Sequence, residues 1–267
     1  MSLSIRAAKK TTANMPLQRY EIRITENRYE IEEAQRLRYD VFAREMGAKL
    51  KSEALGLDQD RYDHFVKHLI VRDTFERKIV GYTRILTREM ASIIGGFYSC
   101  SEFDLTRILA LPGKMIEIGR TCVHKDYRNG STISLLWTGI ATIMESYKVD
   151  YLIGCASVPM GDNGELAQSV VSSLKKRSEV PEAIRVFPKT PMPKFSGQEE
   201  GANAAIPPLI KGYLRAGAKI CGDPCWDPDF NVADLFIFLD RTKIDQRYKK
   251  HFLTFGQRKE PEIRKAG

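Results

Sequence analysis

The chain has 267 residues, 43% of them hydrophobic and 28% charged, enough for a sizeable core in one large domain or one domain with an appendage. No apolar run reaches the roughly 18 residues of a membrane-spanning helix. Five irregularly spaced cysteines (Cys100, Cys122, Cys155, Cys221 and Cys225), with no CxxC pair and no clustered histidine, exclude a disulfide framework and a zinc site; buried free thiols in a reducing cytoplasm are expected, and no metal.

The net charge of +8 is carried by the ends. Residues 1–19 hold basic residues and no acid, and lack the apolar stretch of a secretory signal. Residues 241–267 are also strongly basic, which leaves 20–240 slightly acidic. A nucleic-acid-binding body would carry its own basic face, so no nucleic-acid partner is expected. Basic tails suit an anionic membrane surface or an acidic protein, or are simply solvated. In the C-terminal one, Arg247, Lys249, Lys250, Arg258 and Lys259 lie among Tyr248, Phe252, Leu253 and Phe255, a composition suited to peripheral contact with an anionic bilayer. The expected location is therefore cytoplasmic, with peripheral contact at the inner membrane face.

From the N-terminus, Tyr20 to Ile24 alternates as an opening strand. Arg28 to Met46 has helical apolar spacing and Gly47 ends it. Lys49 to Phe65 is a polar loop with acids at Glu53, Asp58, Asp60 and Asp63. His68–Arg72 and Ile79–Leu86 form a hairpin around Asp73–Lys78. Met90 to Pro112 is irregular. Lys114–Val123 is a strand, Arg128-Asn129-Gly130-Ser131-Thr132 a polar loop, and Ile133–Tyr147 an amphipathic helix. Asp150–Ala156 is a continuous apolar run typical of a central strand. A helix at Glu165–Lys176, a proline-rich excursion over 181–208, a helix at Ile206–Ala218 and a last strand at Leu235–Leu239 complete a mixed α/β order around one sheet.

The strand–loop–helix from Met115 to Tyr147 is the most informative segment. Backbone N–H groups of such a loop and of the helix N-terminus make an anion site, and Arg128 adds a positive charge. This suits the phosphate of phosphopantetheine or coenzyme A; the same loop could simply cap a helix. The order of elements resembles the GNAT acyltransferase superfamily, in which a strand runs into an R-x-x-G-x-[GA]-like loop. Arg128 and Gly130 stand in that motif, although the spacing and the later small residue depart from it.

Further blocks narrow the resemblance. Arg38-Tyr39-Asp40-Val41-Phe42 with Glu45 resembles the RY-x-VF-x-x-E helix of ornithine-lipid acyltransferases, which are similar in fold to acyl-homoserine-lactone synthases. Asp58 to Asp63 followed by His68-Leu69-Ile70-Val71, Val80-Gly81-Tyr82-Thr83-Arg84, Glu117-Ile118-Gly119-Arg120 and Leu136-Trp137 resemble further blocks of these families. Pro207-Pro208-Leu209-Ile210-Lys211-Gly212-Tyr213-Leu214-Arg215 with Gly217-Ala218 resembles a segment particular to the ornithine branch. The resemblance runs from about Tyr20 to Leu239 and implies a GNAT-like α/β fold, a mixed central sheet flanked by helices. It also implies transfer of a 3-hydroxyacyl chain from acyl carrier protein to the α-amine of L-ornithine, giving lyso-ornithine lipid. On this reading the phosphopantetheine arrives on the carrier, and no cofactor is tightly bound. The alternatives are another carrier-dependent N-acyl amino acid or acyl-homoserine-lactone synthase and, more distantly, a non-enzymatic basic binding module.

Amide formation needs a neutral amine, so a carboxylate beside the reacting centre should take its proton. Glu117 is the first choice; otherwise it forms an ion pair with Arg120. A backbone N–H near Cys122 or Val123 would hold the oxyanion, and direct attack by the amine is favoured over a Cys122 nucleophile. The donor site is expected at Cys122, Val123, Arg128, Asn129, Gly130, Ser131 and Thr132. An acceptor with two ammonium groups and a carboxylate calls for acids beside arginines. Glu45, Asp60 and Asp63 can supply the first, and Arg84 and Arg120 the second. Arg38 joins them, or is a surface helix residue or an ion-pair partner of Glu45. Lys125, Lys175, Lys176 and Arg177 could greet an acidic carrier or merely solvate helix ends.

Overall fold

The computed structural model describes residues 19–161, 164–174, 180–193 and 205–244. β1 (Tyr20–Thr25) leads to α1 (Arg28–Tyr39), whose N-terminus Asn27 caps by accepting a hydrogen bond from the Tyr29 amide. The helix then widens into a π-helical turn, Asp40–Glu45, and ends at Gly47, whose φ of 76° favours glycine. β2 (Lys67–Asp73) and β3 (Lys78–Thr87) form the expected hairpin. The stretch read as irregular contains α2 (Arg88–Ile94), β4 (Phe103–Asp104) and α3 (Thr106–Leu109). These elements are one or two turns long, too short to show a hydrophobic period.

β5 (Met115–Val123), α4 (Ser131–Ser146) and β6 (Tyr151–Pro159) follow, then α5 (Glu165–Leu174) and β7 (Phe187–Pro188). α6 (Pro208–Ala216) starts with Pro208 in its first turn and stops at Gly217 (φ 99°), the usual Pro-start, Gly-stop asymmetry. β8 (Lys219–Ile220), β9 (Cys225–Asp227) and β10 (Val232–Asp240) close the described chain. Within the excursion over 181–208, β7 pairs with β4, and Pro191 bridges Cys225.

The main sheet runs β1-β2-β3-β5-β6-β10-β8, with β9 against β10. All its pairs are antiparallel except β5–β6. One face is covered by α4, α5 and α6 through Leu136, Ile140, Val170, Ile210 and Tyr213. The other is covered by α1 at one end and by the α2–α3 region at the other, with Leu37, Phe97, Phe103 and Ile108 turned inward. This is the GNAT-like architecture expected from the order of elements. Among the described residues no helix is long and apolar enough to cross a membrane.

The β5–β6 junction positions the site. The two strands pair only from Met115↔Tyr151 to Glu117↔Ile153, although each runs on for six residues. They stay close at first: a Cβ on Gly154 would stand 2.5 Å from the Ile118 carbonyl oxygen. Beyond that they part, leaving an opening in the middle of the sheet. β5 also bulges: Gly119 faces Arg84 and Cys122 faces Tyr82, so Arg120 and Thr121 oppose the single residue Thr83. Arg120 takes a left-handed φ of 51° there. Such a bulge re-aims a side chain, and this one turns Arg120 into the opening.

Candidate active site

A cavity of about 450 Å³ fills the gap between β5 and β6. β5 forms one wall from Glu117 to Val123. Cys155 and Ser157 of β6 and Asp234 of β10 form another. The π-helical turn (Phe42, Glu45), the α4 entrance and Phe230 close the rest.

At the α4 end, Gly130 is the N-cap with φ 91° and offers no side-chain cap; Asn129 takes the Ser131 N–H, and the helix brings the positive end of its dipole to the cavity mouth at Gly130 and Ile133. Arg128 donates to the Val123 carbonyl (3.0 Å) and pairs with Glu45 (2.7 Å). Glu45 thus stands beside the loop expected to hold the donor, not among the acids of the acceptor loop. Asn129 accepts from the Ser131 amide (3.1 Å) and hydroxyl (2.6 Å), organising the loop. Thr132 is fully buried: its methyl packs against Gly81, so closely that a Cβ there would meet it at 2.7 Å. Of this loop, Arg128 and Gly130 line the cavity; Asn129, Ser131 and Thr132 lie behind them.

Three arginines and three aspartates form one network next to the cavity. Arg38, without solvent exposure, donates to Asp58 (2.9 Å) and Asp63 (2.6 Å). Arg84 donates to both oxygens of Asp60 at 2.8 Å. Arg120 donates to Asp58 (3.1 Å) and approaches Asp60 (3.7 Å). Burial pushes Asp58 and Asp60 up, but the arginine charges outweigh it and hold both below the usual carboxylate range. Arg38 and Asp63, expected at the acceptor, are sealed in this network away from the cavity wall, and Arg38 does not pair with Glu45. Asp60 sits behind Arg84. Arg84 and Arg120 reach the cavity, where Arg120 stacks on Phe230 (4.5 Å) and Tyr98 (5.1 Å).

Glu117 is buried and lines the cavity where β5 leaves β6. It does not pair with Arg120. It accepts hydrogen bonds from the Tyr98 amide (2.6 Å), the Ser99 amide (2.8 Å) and the Ser99 hydroxyl. Burial outweighs these bonds and raises its pKa. A carboxylate has about four acceptor positions, so three donors leave room for one more. Cys122 is buried, and burial pushes its thiol up to about 12; such a thiol is not a ready nucleophile.

The sequence did not point to the far end of the cavity. Asp234 accepts from Ser157 (2.6 Å) and lines the cavity with Asp227. Glu102, 8% exposed, brings a carboxylate oxygen into the same group, the three carboxylates lying within 4.8 Å of one another. They come from the α2–α3 region, β9 and β10, so no local motif marks them. The available signal was Asp234, a charge inside the apolar run Val232–Leu239. Lys125 is exposed; Lys175, Lys176, Arg177 and the tail residues beyond 244 lie outside the described residues.

Comparison with known proteins agrees with this geometry. Residues 37–138 match the model of the acetyltransferase (GNAT) domain. The L-ornithine N(alpha)-acyltransferase of Agrobacterium fabrum (strain C58) is 36% identical over 250 residues, covering 87% of this chain and 84% of that protein. The enzyme of the same name from Rhizobium meliloti (strain 1021) is 36% identical over 249 residues, covering 87% and 83%. A CoA-dependent acyl-homoserine lactone synthase, solved with SAM and isopentyl-CoA, shares the fold with a TM-score of 0.53 at 15% identity, over 90% of this chain and 89% of that one. The chain is an N-acyltransferase and belongs to the L-ornithine N(alpha)-acyltransferase family.

Proposed function

We propose that the protein transfers a 3-hydroxyacyl group from acyl carrier protein to the α-amine of L-ornithine, yielding lyso-ornithine lipid. The observation that carries this reading is the opening between β5 and β6. It runs from the α4 N-terminus to a largely apolar interior that carries Arg84 and Arg120 at one wall and acids at another. A phosphopantetheine arm entering there meets N–H groups suited to its phosphate, and its acyl thioester lies along β5. An amino acid acceptor meets arginines fit for its carboxylate.

The chemistry follows from these positions. Glu117 takes a proton from the α-ammonium at its remaining acceptor position; its raised pKa favours that step. The neutral amine attacks the thioester carbonyl, the new C–N bond forms, and the oxygen becomes an oxyanion. A backbone N–H of Cys122 or Val123, where β5 has left β6, stabilises it. The C–S bond breaks on collapse, and the thiolate leaves with a proton from the nitrogen. Arg128 belongs to the donor side, where the phosphate would compete with Glu45 for its guanidinium.

The basic ends fit an acidic carrier and an anionic bilayer that would receive the amphiphilic product, a peripheral arrangement on the cytoplasmic face. Purified protein given 3-hydroxyacyl carrier protein and L-ornithine should form the Nα-amide, identified by mass spectrometry. Arg128→Ala should raise the KM for the carrier more than that for ornithine. Absence of the amide, with acylation of another amine instead, overturns the acceptor assignment.

A further inference from the structure

Among the described residues no arginine or lysine is bonded to Glu102, Asp227 or Asp234, unlike the aspartates of the neighbouring network. Neither carboxylate oxygen of Glu102 has a partner in hydrogen-bonding geometry. Leaving such a buried group unsatisfied costs stability. The groups around the cluster offset part of it: Cys155 on β6 and Tyr98 in the turn after α2 lie alongside Glu102, the Asp229 and Phe230 amides donate to Asp227 (2.9 and 3.1 Å), Ser157 serves Asp234, and the Arg120 charge favours ionised Asp234. Burial first raises the pKa of both Glu102 and Asp234; the charge of Asp234 then adds to the rise at Glu102 and that of Asp227 to the rise at Asp234, while Ser157, Arg120 and Glu102 itself pull Asp234 part of the way back. Three acids gathered at one end of the cavity, with the carboxylate of Glu102 left unsatisfied, are suited to receive positive charge.

The position narrows the cation. Asp227 and Asp234 line the same cavity as Glu117 and Arg120. Glu117 accepts from the Ser99 hydroxyl, which in turn accepts from the Cys155 thiol at 3.3 Å, and Cys155 adjoins Glu102. Two small side chains therefore separate the expected base from the cluster, a distance of the order of one amino-acid side chain. A hard metal ion takes about six to eight oxygen ligands. An ammonium group has three N–H donors, which three carboxylates match.

We propose that Glu102, Asp227 and Asp234 form the pocket for the side-chain ammonium of the acceptor, and so select a diamino acid over an amino acid with an uncharged side chain. This rests on the acyltransferase reading above and deepens it. The α-carboxylate lies toward Arg120, the α-amine at Glu117, and the distal ammonium among the three acids. Binding lowers the pKa values of the acids, and protons leave.

The test uses the full chain, L-ornithine, and L-norvaline, which has the same carbon chain without the distal amine. Calorimetric binding and acyl transfer are measured for the wild type, Asp234→Asn and Glu102→Gln. The wild type should prefer ornithine in both measurements. Each variant should lose about ten- to hundredfold of that preference, the usual worth of a hydrogen-bonded charge. Wild-type binding of ornithine, but not of norvaline, should release protons, seen as a buffer-dependent heat; this arm needs no variant to fold. Equal affinity for the two amino acids, an unchanged preference in folded variants, or no proton release overturns the proposal. If ornithine binds selectively and loses that selectivity in the variants while neither amino acid is acylated, the pocket stands and the acyltransfer reading falls.

Discussion

Glu117, the base proposed above, also holds structure. Its three donors fix the Tyr98–Ser101 turn against β5, while burial lifts its pKa toward that of a useful base. Glu117→Gln removes the base and turns an amide N–H toward one of these donors, so it should also lower the thermal midpoint. The two effects separate with pH. Loss of a positioned base should reduce kcat by about 10² to 10⁴ near neutrality. That deficit should shrink at alkaline pH, where the amine sheds its proton unaided. A deficit that is constant from pH 7 to 9.5 would make Glu117 purely structural. Cys122 has the opposite profile. Its buried thiol, pushed up to about 12, predicts transfer through a ternary complex. Intact-mass spectra taken after mixing with donor alone should show no acyl-enzyme.

At the level of elements, the network of Arg38, Arg84 and Arg120 with Asp58, Asp60 and Asp63 ties α1, the acidic loop, β3 and β5 together. Removing one member of a buried ion pair strands the others without compensation. Arg38→Ala should cost about 3–5 kcal/mol, read from the denaturant midpoint, with little change in KM if the protein is assayed while folded. Whether these residues bind substrate or hold the wall behind it could not be read from the sequence, because the Asp58–Asp63 block has the same spacing in either role. The long elements were legible: α4 and β6 carry strong periodicity or continuous apolarity, and both ends fell within a few residues of the expected ones. The short elements between residues 88 and 109 were not, since tertiary packing around Phe97 and Phe103 orders them, not local preference. The loop proposed to hold the donor was legible as a glycine-bearing turn, but the pairing of Arg128 with Glu45 depends on the π-helical widening after Tyr39. That widening leaves no mark in a helical repeat.

For the molecule as a whole, two sets of acids pull stability in opposite directions with pH. Asp58 and Asp60 have lowered folded pKa values. Their contribution is complete above the unfolded value of about 3.9 and is lost as pH falls through the folded one. Glu102, Glu117 and Asp234 have raised folded values. Their contribution is complete below the unfolded values of about 3.9 to 4.3 and is lost as pH rises through the folded ones. Burial lowers His68 and His124, which disfavours the fold as pH drops below about 6.5 and partly masks the acids in any single melting curve. Comparing Asp234→Asn with the wild type removes the histidine contribution, because both proteins share it. The variant carries no charge at this position at any pH, so its thermal midpoint should gain on the wild type as pH rises from 5 to 8. A bound ammonium would relieve the same repulsion, and a ligand that binds only the folded state raises its stability. Ornithine should therefore raise the midpoint of the wild type at pH 8 and that of Asp234→Asn much less. A difference between the two proteins that stays flat with pH, or equal stabilisation of both by ornithine, would mean that the acids at the end of the cavity are not held as unpaired charge.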